Sequence, residues 1–226
     1  MLCQKIIHMP FLDWNNEIII RFGKNLPHWH QSGKMQFVTF RLVDSLPQSK
    51  IAELKKIKLY FDATYPRPWS DEVTQLYHRY VGPVSERLLA NGYGCCMLRY
   101  PECRRFLSES FFYGDGKRYD IWAYVIMPNH VHVLMSDLTG EDVNEILKSI
   151  KQYSAARMNK CMHRKGEVWV RENFDRLVRG EAHFEHCIDY IINNPRFLKP
   201  GDYELYIKEE LMEDVIIRQG GSPAAP

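Results

Sequence analysis

The sequence predicts an α+β fold in which helices pack on one antiparallel sheet. Strand-like and helix-like stretches alternate along the chain, and two β-patterned runs near its middle are separated by a Pro-Asn turn. Its 226 residues, 45% of them hydrophobic, suffice for one main core.

After an irregular start, MQFVTFRLV at about 35–43 alternates β-branched and aromatic residues and is closed by DSLPQ, which predicts a strand. Helical spacing of Ile51, Leu54, Ile57 and Leu59 predicts a helix over about 49–60, and a second helical stretch or helix pair follows at about 71–90 beyond the turn TYPRPWSD. GYGCCML has the look of a short strand. PECRRFLSESFFYG reads as a helix with Phe106, Leu107, Phe111 and Phe112 on its apolar side, broken at Asp115-Gly116. Tyr119 to Met127 and His130 to Ser136 form a tight hairpin around Pro128-Asn129. A helix over about 141–162, a turn or edge segment over about 167–178 and a helix over about 182–193, stopped by Pro195, complete the main unit.

The expected organisation is an N-terminal extension over 1–34, one domain over 35–198 with a helical insertion at about 62–92, and an acidic tail over 199–226. The net charge of +2 does not mark a nucleic-acid binder. Charge is unevenly spread, however. Between Lys148 and Arg179 nine Lys and Arg face three acids, whereas Asp202 to Asp214 holds six acids against Lys208. The six cysteines contain no C-x-x-C pair or regular spacing, which argues against a disulfide framework or zinc ribbon. With no signal-peptide pattern and no membrane-length apolar run, a cytoplasmic protein without a membrane partner is expected. GGSPAAP at the end is expected to fray.

In MPNHVHVLM, His130 and His132 are two apart on a strand, so both leave one face while Val131, Val133 and Met135 leave the other. Two neutral imidazoles held this way can share a divalent cation. Standing alone, the spacing more often marks two polar residues on the wetter face of a half-exposed strand. In HFEHCIDYIINNP, Phe184, Cys187, Ile188 and Ile191 define the buried stripe of a helix. Tyr190 lies off that stripe, on a face shared with His186 and Asn194 at four-residue intervals. Tyrosine forms covalent intermediates, although a phenol with a pKa near 10 needs help to attack at neutral pH. From the residues alone, Tyr190 is equally a helix tyrosine at a core margin.

The blocks PHWHQSGKMQFVTFRLVDSLP, YVIMPNHVHVLM, SIKQYSAARMNK, GEVWVRENFDRLVR and DYIINNPRFL, in this order over roughly residues 27–198, make the chain resemble the REP-associated tyrosine transposases of the single-tyrosine HUH transposase family. The resemblance implies a ferredoxin-like core, the HUH endonuclease core. His130 and His132 would bind Mg²⁺ or Mn²⁺ with Asn194, four residues beyond Tyr190, and Tyr190 would be the nucleophile. It further implies cleavage and rejoining of single-stranded DNA through a 5′-phosphotyrosine, at hairpin or repeat sequences, by a homodimer or monomer.

Lys148, Lys151, Arg157, Lys160, Arg171 and Arg176 are the candidate DNA-binding cations, and Trp169 and Phe174 are candidates either for base stacking or for the core. Tyr153 is a competing nucleophile, disfavoured because the residue four further on is Arg157, which cannot ligate a cation. Two other activities fit the same residues: a domesticated protein that binds hairpin DNA without cutting it, and a phosphodiesterase that uses water.

Overall fold

The computed structural model describes residues 9–22, 27–67 and 69–218. A two-stranded sheet of β1 (Ile19–Phe22) and β2 (Pro27–His30) lies in the segment expected as an extension. The main sheet has five strands in the order β6-β3-β5-β4-β7, every neighbouring pair antiparallel. These are β3 (Met35–Arg41), β4 (Tyr119–Ile126), β5 (His130–Asp137), β6 (Phe174–Leu177) and β7 (Glu204–Ile207). The first four form the ferredoxin-like β-α-β-β-α-β unit, with a two-helix insertion and one sheet-packed helix between β3 and β4 and a second sheet-packed helix between β5 and β6.

Period-two alternation sorts each strand's side chains between two cores. Val38, Phe40, Val131, Val133 and Met135 meet one pair of helices, α3 (Pro101–Gly114) and α4 (Val143–Cys161). Met35, Phe37, Val125 and Leu134 face the other way, onto α5 (Glu181–Asn193). In β4 the register shifts between Ile121 and Ala123, and Trp122 at this bulge anchors itself by donating from Nε1 to Ser136 Oγ at 3.0 Å.

The helical insertion is a hairpin of α1 (Gln48–Thr64) and α2 (Asp71–Ala90), held by Phe61, Trp69, Tyr77 and Val81. Ser70 caps α2 by accepting from the Val73 amide. Inside α2 stand Gly82 and Pro83. Relative to alanine these cost about 1 and about 3 kcal/mol in a helix interior, so packing and not propensity holds this turn.

Three expectations change. GYGCCML is no strand: Gly94 turns at φ +88° against the Asp44 backbone, the Asp44 carboxylate accepts from Cys95 N at 2.8 Å, and Cys96 is left-handed at φ 49°. Phe112 is exposed, and Cys103 takes its place on the buried side of α3. The segment expected as an acidic tail enters the fold as β7 and α6 (Glu209–Arg218). Its apolar residues outweigh its charge: Leu211 and Val215 are buried, and Tyr206 stacks on Tyr124 at 5.2 Å. The terminal GGSPAAP lies outside the described residues.

Candidate active site

β5 is the central strand of the main sheet, and its pleat puts His130 and His132 on the α5 face, 2% and 0% exposed. Their rings lie 4.8 Å apart at 80°. Neighbouring groups fix which nitrogen of each is free. Asn129 donates its amide to Leu89 O and Tyr93 O, at 3.4 and 3.1 Å, which orients its Oδ1 toward His130 Nδ1 at 2.7 Å. A carbonyl oxygen only accepts, so His130 carries its proton on Nδ1 and keeps a lone pair on Nε2. Thr39, opposite His132 on β3, engages His132 Nδ1 at 2.8 Å. His132 Nε2 is left buried without a hydrogen-bond partner.

The third donor comes from the insertion. Glu86 on α2 brings Oε2 to 3.6 Å from His132 Nε2, and one ligand atom from each of Glu86, His130 and His132 lies within 4.8 Å of the others. Tyr190 reaches the same point from α5. Its ring stands edge-on to His132 at 4.9 Å and to Phe37 at 5.8 Å, and its hydroxyl donates to Glu86 Oε2. Phe37 also stacks on His132 at 13°, so sheet, imidazole and phenol form one packed unit.

Electrostatics suit a cation. Burial, together with His132 in the case of His130 and Arg176 in the case of His132, pulls both imidazoles down to about 3, so they are neutral ligands at physiological pH. Burial pushes the Glu86 carboxyl up, opposed by His130 and by the Tyr190 hydroxyl. Burial first and Glu86 second hold the Tyr190 phenol well above its ordinary range, with Asn194 acting the other way by a hydrogen bond. Two neutral imidazoles, one of them with an orphaned buried Nε2, and a carboxylate fit a divalent metal centre.

The structure gathers His130, His132 and Tyr190 and sets Asn194, at the C-cap of α5, beside the tyrosine hydroxyl. Arg176 lies at the site's edge, its guanidinium 5.8 Å from the Phe37 ring. Lys148, Arg157 and Lys160 are exposed, but α4 carries them on the opposite side of the sheet from the histidines. Lys148 pairs with Glu145 at 2.9 Å, and Arg157 rests over Phe106 at 4.8 Å. Arg171 is exposed next to β6.

Lys151 is a correction. It is 7% exposed, donates to Val170 O at 2.9 Å, to Arg171 O and to Asn173 Oδ1, and so holds the strand-entry loop instead of a phosphate. Trp169 is core, its Nε1 donating to Ser154 Oγ at 3.0 Å. Tyr153 is 44% exposed on α4, on the far side of the sheet from Glu86, His130 and His132. Glu86 and Asn129 escaped sequence reasoning. The one hint of Glu86 is the Gly82-Pro83 break one turn before it in an otherwise helical stretch.

Residues 102–194 match the family model described as transposase IS200 like. This stretch of the chain is similar to the IS200-like transposases. It holds both histidines, Tyr190 and Asn194, whereas Glu86 lies upstream of it. Among solved structures, the chain is similar to a REP-associated tyrosine transposase bound to a REP hairpin, at 14% identity and a TM-score of 0.37, over 75% of this chain and 71% of that one. It is also similar to a protein of Deinococcus radiodurans R1 described as a candidate transposase, at 14% identity and a TM-score of 0.31, over 77% of this chain and 96% of that one. No curated protein matches the chain. Among the described residues no helix is long and apolar enough to cross a membrane.

Proposed function

We propose that this transposase-like protein cuts and rejoins single-stranded DNA through a covalent 5′-phosphotyrosine on Tyr190, at hairpin or repeat sequences. The observation that carries the reading is the convergence of the Tyr190 hydroxyl with His130, His132 and Glu86 at one buried point. His130 Nε2, His132 Nε2 and a Glu86 oxygen would hold Mg²⁺ or Mn²⁺, with Asn194 as a further oxygen donor. When bound, a divalent cation supplies the charge that lowers the phenol's pKa and offsets the negative charge gathering on the phosphate and leaving oxygen.

The chain's own residues do the rest. Phe37 and His132 fix the Tyr190 ring, so its Oη meets a scissile phosphorus with little orientational freedom left to lose. Attack forms the Oη–P bond and breaks the P–O3′ bond. The phenolic proton passes to Glu86 Oε2, which already accepts its hydrogen bond, and the departing 3′-oxygen takes a proton from water. The 3′-hydroxyl of a strand end can reverse the sequence, so rejoining needs no external energy source.

The test is incubation with labelled single-stranded hairpins and Mn²⁺, read on denaturing gels for wild type and Tyr190→Phe. A covalent adduct lost in the variant is expected. Cleavage without an adduct would assign the attack to water, and binding with neither would leave a hairpin-binding protein.

A further inference from the structure

Beside the metal-ligand group, a cavity of about 220 Å³ opens between the α1–α2 hairpin and the β3–β6 edge of the sheet. Glu86, which groups with His130 and His132, and Thr39, which engages His132, both line it, so the cavity adjoins the site. Its walls are mixed: Leu54, Leu89, Tyr77 and Phe174 give apolar and aromatic surface, while Arg41, Ser85 and Asn173 supply polar atoms. That volume is room for a flat ring system. Lys55 and Lys58 line it from α1, the latter paired with Asp62 at 2.9 Å, and Glu172 adds one acid.

The wall on α2 is unusual in sequence. Gly82 lines the cavity, followed by Pro83, two residues that weaken a helix, and a Cβ placed on Gly82 would meet no atom within 4 Å beyond its chain neighbours. Glycine before Pro83 also avoids the crowding of a preceding Cβ by the proline ring, and, being bare, it leaves the cavity wall open at this point.

We propose that this cavity is a base pocket, which receives the unpaired base of a nucleotide next to the scissile phosphate, and that Gly82 keeps the room open. The proposal rests on the single-strand DNA reading above and adds to it where sequence preference is exerted. Aromatic and apolar walls take the face of a base, as single-strand binding sites do, while Arg41 and Ser85 offer partners for its edge. Substrate specificity would then depend on the insertion as well as on the IS200-like segment.

The experiment measures binding of fluorescently labelled single-stranded hairpins by anisotropy in EDTA, with one abasic position walked through the unpaired flanks. Wild type should bind the strand about tenfold or more weakly when one particular position is abasic, the scale of losing a stacked base. That penalty should vanish in Gly82→Met, which fills the cavity. It should shrink in Gly82→Ala, which a helix tolerates better than glycine and which therefore guards against a folding failure. Equal affinity at every abasic position, or a full penalty retained in both variants, overturns the proposal. Strand binding that shows the penalty while Mn²⁺ yields no adduct leaves the pocket standing and removes the cleavage chemistry. Absence of single-strand binding removes both.

Discussion

Glu86→Gln separates the proposed metal role of Glu86 from its part in the fold. The change keeps the shape of the side chain and removes the negative charge from the group formed with His130 and His132. Outer-shell partners of a metal cost about 10–100-fold in affinity when lost, so a charged inner ligand is expected to cost about 100-fold or more. At a metal concentration 100 times the wild-type Kd, the ion stabilises the wild type by about 2.7 kcal/mol, and nearly all of that disappears in the variant. For a chain of this size, where 1 kcal/mol moves Tm by about 2–4 °C, the metal-induced rise should fall by about 5–10 °C. Without metal the sign differs. Burial raises the Glu86 carboxyl, so its charge is held at a cost, and the metal-free variant should melt no lower than wild type at neutral pH. The assay is thermal melting of both proteins with and without Mn²⁺, in the absence of DNA. An undiminished Mn²⁺ shift in Glu86→Gln would refute the three-donor site. A metal-free variant several degrees less stable would refute the claim that the charge is costly.

Other predictions follow from neighbouring contacts. Thr39→Val removes the partner of His132 Nδ1 and should weaken Mn²⁺ binding about 10–100-fold by calorimetry, with little change in fold; unaltered affinity would mean that packing on Phe37 alone orients the ring. Both imidazoles are depressed to about 3 from 6.5, so the unfolded chain binds more protons between these values. Metal-free stability should therefore be present in full above pH 6.5 and be lost as pH falls toward 3, a slope that His130→Asn with His132→Asn should flatten in denaturant titrations. Arg176→Ala should reduce the salt dependence of single-strand binding, while Lys151→Met should leave it unchanged and lower the melting temperature; the opposite pattern would put Lys151 on DNA.

Part of this site was legible in the chain. Strand periodicity alone puts His130 and His132 on one face, because alternate residues of a strand cannot do otherwise. Helical periodicity likewise leaves Tyr190 off the buried stripe of Phe184, Cys187, Ile188 and Ile191, and the hairpin at Pro128-Asn129 follows from local turn chemistry. Such features depend on neighbours a few residues apart, which a sequence displays directly.

What only the tertiary structure decided involves partners far apart in the chain. Glu86 stands 104 residues from Tyr190, on a helix whose pattern says nothing of the metal, and meets it because the α1–α2 hairpin folds over the end of β3. Lys151 looks like its neighbours on a basic helix, yet the pitch of α4 turns it inward onto the carbonyls of residues 170 and 171, while Lys148 and Arg157 turn outward. The acidic stretch that reads as a tail becomes an edge strand because β4 has an unpaired backbone edge to offer it, and a strand edge satisfies backbone hydrogen bonds whatever the net charge of the segment that fills it.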